Sequence, residues 1–123
     1  MRTLWIGVAG FAGAVSRSVV DNLVTARTRN ALPWGTLVVN VTGCLVLGFL
    51  VTLFTRRYPA HEALRVALTV GFVGAYTTFS TFAYQALALG QDRRAGAAAL
   101  YVAGSIVLGI AAAWLGTVAA RAV

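Results

Sequence analysis

The sequence predicts an all-α integral membrane protein with four transmembrane helices. Three observations lead there. Apolar residues make up 59% of the 123 residues and charged ones only 11%, against about 25% charged in a soluble domain. A soluble chain this small exposes much of its surface and could not hide so much apolar area. Four apolar stretches are each long enough to cross a hydrocarbon core of about 30 Å, which takes about 20 helical residues. Lipid cannot satisfy open backbone groups, and four spans are too few to close a barrel, so each must be helical.

The elements follow in order within a single transmembrane domain, residues 1–123. The first span covers about residues 4–24 and is interrupted by Arg17 and Asp21. Its start, Arg2 followed by an apolar run, has the form of a signal peptide. Val19, Val20, Leu23 and Val24 continue the apolar pattern past Arg17, which favours a span. The second covers about residues 34–55 and carries no charge from Leu37 to Phe54. The third covers about 64–89, uncharged from Ala67 to Leu89, and the fourth about 95–120, also uncharged. The connectors hold Arg27, Arg29, Asn30 and Pro33, then Arg56, Arg57, Pro59 and His61, then residues 90–94. Proline and charge punctuate them as loops. His61 reads as a solvated loop residue. Trp5, Trp34, Tyr58 and Trp114 fall near span ends, where an interfacial aromatic belt would stand.

The formal charge is +7, and all ten basic residues are Arg. In a soluble protein this balance would hint at nucleic acid. Here the arginines stand singly or in pairs between apolar runs, so lipid headgroups are the expected partners and nucleic acid is not. The single Cys44 excludes an internal disulfide and a cysteine metal cage. It lies in an apolar run and reads as a small buried filler. With four spans, Arg2, Arg56, Arg57, Arg65 and Arg121 share one side; Arg27, Arg29, Arg93 and Arg94 share the other. Five against four is a weak orientation signal. Either a small bias orients the chain, or it inserts both ways up and opposite copies pair. Gly7, Gly10, Gly13, Ala14, Gly43, Gly48, Gly104 and Gly109 would let helices approach closely. Four helices enclose little space alone, so a homo-oligomer is expected.

No enzyme constellation is visible: no Cys/His pair, no carboxylate dyad, no metal-ligand cluster, no phosphate loop. Polar residues inside the spans are mostly neutral donors, among them Asn40, Thr42, Thr77, Thr78, Ser80, Thr81, Gln85, Tyr101 and Ser105. Neutral donors favour an anion or neutral solute; a cation or proton route usually shows an intramembrane carboxylate. Asp21, the one candidate, lies toward the end of its span. In the third span, Gly71, Gly74, Tyr76, Thr77, Thr78, Phe79, Ser80, Thr81 and Phe82 crowd together. A break near residues 74–78 would free carbonyls that need a protein, water or ion partner. An unbroken helix with hydroxyls bonded to the preceding turn fits equally well. Phe79 and Phe82, three apart, share a helix face. They form either a packing stripe or a pair of rings whose positive edges can help solvate a small anion.

The run from Thr77 to Phe82, Thr-Thr-Phe-Ser-Thr-Phe, resembles the signature of the Fluc (CrcB-type) fluoride channels. The run from Pro33 to Gly43, with Asn40, is similar to that family's second-helix motif, and Gly10, Gly13, Ala14 and Arg17 to its first-helix pattern. Length and span layout agree, so the resemblance covers essentially the whole chain. It implies a fluoride-selective channel that exports cytoplasmic fluoride across a bacterial-type inner membrane. It further implies an antiparallel dual-topology homodimer with two pores and a third helix broken near its middle. Phe79 and Phe82 would be pore phenylalanines and Asn40 an amide donor to fluoride. Tyr101 and Ser105 would form a polar track, with Ser80 and Thr81 nearby, and Arg17 would attract the anion near a pore mouth. The backbone carbonyls of Gly74 and Thr77 would hold a central structural sodium ion. Phe11, Ser18, Ala75 and Tyr76 depart from the family pattern, and Gly109 cannot extend a hydroxyl track beyond Ser105. The rival readings are a small four-helix multidrug/proton antiporter, which needs an embedded carboxylate, and a non-transporting membrane assembly subunit.

Overall fold

The structure, a computed structural model, describes residues 2–28, 32–59 and 61–123. Arg29 and Asn30 of the first connector lie outside the described residues. The described residues form α1 (Arg2–Arg27) and α2 (Trp34–Arg56), then a composite third passage. That passage begins as α3 (Glu62–Val66), continues as a π-helical stretch (Ala67–Val73) into α4 (Gly74–Tyr76), and resumes as α5 (Phe79–Gln91). The chain closes with α6 (Ala95–Ala122). Four passages are long and apolar enough to cross a membrane, the third spanning Glu62–Gln91. The helices run a few residues past the expected spans, because helical bonding need not stop where the apolar residues do. Neither Arg17 nor Asp21 interrupts α1, since isolated charged side chains leave the backbone ladder intact.

Two packing pairs dominate: α2 lies along α6, and α1 lies against the π stretch and α4. Both rest on close backbone approach, which in lipid takes the place of a hydrophobic drive between helices. A side chain at Gly48 would overlap the Ala113 backbone, and one at Gly116 the Leu45 carbonyl. A side chain at Gly13 would overlap the Phe72 carbonyl. Gly7 and Gly104, singled out in the sequence, meet nothing within 4 Å. The decisive fourth-helix glycine is Gly116, which spacing alone does not distinguish. Gly13→Ala is therefore expected to lower the thermal unfolding temperature in detergent, and Gly7→Ala to leave it unchanged. Overpacking of this kind costs roughly 1–3 kcal/mol. Equal melting of the two variants would contradict the close approach.

Arg2 and Glu62 pair at 3.1 Å, both well exposed. An exposed pair adds at most about 1 kcal/mol, but it shows that the N-terminus and the α2–α3 connector share one end of the bundle. Large apolar side chains such as Leu4, Phe11, Leu100 and Ile110 face outward, as a chain solvated by lipid requires.

Candidate functional site

The third passage is bent, and the break falls at Thr77 and Thr78. Both are extended, with φ/ψ of −80°/157° and −147°/112°. Gly74 is itself helical, at −62°/−34°, so glycine flexibility does not make the break. Two side chains do. Thr78 caps α5: its Oγ1 accepts from the Thr81 N–H at 3.3 Å and its hydroxyl donates to Thr81 Oγ1 at 3.0 Å. Threonine is a favoured N-cap because its oxygen satisfies one of the orphan donors of the first turn. The second side chain is Asn40 on α2. Thr78 N–H donates to Asn40 Oδ1 at 2.8 Å, and Asn40 Nδ2 donates to the Thr78 carbonyl at 3.1 Å. One amide thus satisfies both backbone groups of the residue at the break. Gly43, one turn along α2, allows the approach, since a side chain there would overlap Thr77 Cγ2. One turn before the break lies the π stretch, a rare form found often at functional sites.

A cavity of about 220 Å³ opens beside this junction, lined by Asn40, Gly43, Cys44, Leu47, Thr77, Thr78, Phe79 and Phe82. None of these carries a formal charge. The Phe79 and Phe82 ring centroids lie 5.8 Å apart. The first turn of α5 borders the cavity, and the partial positive charge of a helix N-terminus favours an anion. Cys44 is partly rather than fully buried: its Sγ lies in contact distance of Gly109 on α6 and the residue also lines this space, which corrects the expectation of a buried filler.

A second cavity of about 220 Å³, on the other side of Thr78, is lined by Arg17, Ser18, Asp21, Thr36, Val39, Thr78 and Thr81. Among the described residues Arg17 makes no ion pair within 4 Å. It shares its cavity with Asp21, one helical turn away. A third cavity, about 180 Å³, lies between α2 and α6 and includes Tyr101 and Ser105. The Tyr101 hydroxyl donates to Gln85 Oε1 at 2.9 Å, and its ring centroid is 5.4 Å from that of Phe82.

The structure thus distributes the residues singled out in the sequence. Asn40, Phe79, Phe82 and Thr77 meet at the break. Arg17 and Thr81 meet in the second cavity, and Tyr101 and Ser105 in the third. Ser80 stands exposed, with its hydroxyl 3.4 Å from Thr78 Oγ1. Sequence reasoning missed Thr78 as the hub, although a Thr directly before an apolar helical run is a recognisable N-cap candidate. It listed Gln85 only as one neutral donor among many and gave Thr36 no role, since nothing in local spacing pairs Gln85 with Tyr101 or brings Thr36 to the Arg17 cavity.

The Gly74 carbonyl loses its regular helical donor, because the Thr78 N–H is turned to Asn40. Gly74 is exposed on the outer surface of the chain. The half-helix ending at Tyr76 presents its carbonyl end here, where partial negative charge favours a cation. Among the described residues no group of three or more His, Cys, Asp or Glu gathers as a metal site.

The family described as CrcB-like protein, Camphor Resistance (CrcB), matches residues 4–117. The chain is 42% identical over 118 residues to the fluoride-specific ion channel FluC of Acidobacterium capsulatum, covering 96% of this chain and 94% of the relative. It is 43% identical over 121 residues to the protein of that name in Magnetococcus marinus, covering 98% of both. The Solibacter usitatus protein of that name is 40% identical over 121 residues, with 98% and 99% covered.

Proposed function

The chain belongs to the CrcB-like protein family, and on that premise we propose that it is a fluoride-selective ion channel that exports cytoplasmic fluoride passively. The observation that carries the reading is the uncharged cavity at the helix break, with its two phenyl rings, amide and threonine hydroxyls. Fluoride is small and holds its water tightly, so a pore must replace that water. The second hydrogen of the Asn40 amide, positive ring edges and a helix N-terminus supply partial positive charge. The free Arg17 guanidinium, in the adjoining polar cavity, raises local anion concentration. Full charge inside the narrow part would hold the ion too long, since conduction needs sites that also release. In a negative-inside cell, an anion gains about 2.3 kcal/mol per 100 mV on leaving. No energy-coupling chemistry is needed.

Two copies in opposite orientation form the channel. Phe79 is 79% exposed, and Ser80 and Gly74 are exposed beside it. A helix break facing bare lipid would leave backbone groups unsatisfied, and an inverted second copy would bring its own break against this one. The near-balanced arginines accord with insertion in both orientations. The Gly74 and Thr77 carbonyls fit a sodium ion between the two breaks, which would supply positive charge that holds the paired carbonyl ends together. The bacterial cell membrane is the compartment, as expected of a multi-pass protein with bacterial relatives.

The test is efflux from liposomes holding purified protein and potassium fluoride, with a potassium ionophore relieving the opposing voltage. Fluoride is expected to leave rapidly while chloride, loaded in parallel, stays. Retained fluoride would overturn the channel reading.

A further inference from the structure

Asp21 sets a negative charge where an anion path calls for a positive one. It is the only acid lining the cavity it shares with Arg17. The two residues are four apart on α1, a spacing at which opposite charges on a helix can pair. They form no ion pair within 4 Å. The carboxylate lies against α2 instead: a side chain at Gly35 would overlap Asp21 Oδ1, and the Asp21 carbonyl and the Thr25 hydroxyl crowd the same point. Gly35 is the second residue of α2, and Pro33 before the helix makes no side-chain cap. The partial positive charge of a helix N-terminus favours a carboxylate there. The two charges therefore stay apart, and both residues remain partly exposed on the cavity wall. A closed pair would present little net field to an ion; separated charges each act on it. Thr78 lines both this cavity and that of Phe79 and Phe82, so a field in one bears on an ion bound for the other.

We propose that Asp21 is a further determinant of fluoride entry: held on the first turn of α2 and apart from Arg17, its carboxylate opposes the anion accumulation that Arg17 drives and so raises the fluoride concentration at which flux half-saturates. This rests on the channel reading above. Asp21 binds no fluoride itself. It weakens the pull at the mouth, which suits a pore whose sites must release the ion as well as admit it.

Asp21→Asn keeps the shape against Gly35 and removes only the charge. In liposomes at roughly 10 mM salt its half-saturating fluoride concentration is expected to fall about threefold, with the maximal flux unchanged. The difference should fade at roughly 1 M potassium isethionate, where the screening length is only about 3 Å. A carboxylate that merely anchors α2 predicts something else: lower maximal flux, at every salt concentration. Ser18→Asp probes the same field from the other direction. Ser18 is exposed and lines the same cavity, and its replacement alters no group at the Gly35 contact. A second carboxylate there is expected to raise the half-saturating concentration about threefold at low salt. Melting in detergent is recorded for both variants. An unchanged or raised value in Asp21→Asn, an unchanged or lowered one in Ser18→Asp, or shifts as large at high salt as at low, overturns the proposal. So does unfolding of Asp21→Asn, which would make the carboxylate an anchor. Failure of the channel reading is distinguishable, because unaltered protein would then pass no fluoride at any salt concentration.

Discussion

Asn40→Ala is expected to lower fluoride flux about a hundredfold and to destabilise the fold at the same time; losing roughly 3 kcal/mol at a barrier slows passage by that factor. The reason is the double bond to Thr78. Removing the amide leaves a mid-membrane N–H and a carbonyl without partners, at roughly 1–3 kcal/mol for each buried group. The α5 N-terminus then loses its fixed position, and with it the placement of Phe79 and Phe82. Asn40→Asp separates the two consequences. Its carboxylate still accepts from the Thr78 N–H, but its other oxygen meets the Thr78 carbonyl with no proton to offer. It also places negative charge on the wall of an anion path. We expect Asn40→Asp to conduct as poorly as the alanine variant at any stability. Thermal unfolding in detergent and fluoride efflux, measured on both variants, check this. Flux near the unaltered level in either variant would falsify the role of the clamp.

Phe79→Ile and Phe82→Ile are each expected to cut fluoride flux by about a hundredfold, since both replace a ring edge with aliphatic carbon at the point where the ion has least water. Their effects on stability should differ. Phe82 is partly buried and packs against both Phe79 and Tyr101. Its loss costs roughly 0.5–1.5 kcal/mol for each aromatic contact beyond the buried area. Phe79 makes only the Phe82 contact and is mostly exposed in the single chain, so its replacement should lower the melting temperature of the subunit less than replacement of Phe82 does. Efflux rates and melting curves recorded side by side provide the check. Normal flux in both variants would remove the ring edges from the mechanism.

Much of this was legible in order along the chain. The four passages follow from composition and run length, because lipid as solvent tolerates only internally bonded helices. The pairing of Phe79 with Phe82 follows from three-residue spacing on one helix. The residue pattern left a break near residues 74–78 and an unbroken helix equally open; in the structure Gly74 is helical and the extended residues are Thr77 and Thr78. Glycine marks where a chain can bend; the cap and the external acceptor decide where it does.

By itself the sequence determined the solvent, the number of crossings, the uncharged character of the interior and the ring pair. These depend on residue type and on spacings of a few positions. Only the tertiary structure decided that Asn40 serves Thr78, 38 residues away, that Gly116 rather than Gly104 admits α2, and that the Trp34 N–H is buried without a partner. Each depends on which helix faces which. In lipid that choice is made by close backbone fit and by finding partners for buried polar groups, and neither leaves a local period in the chain.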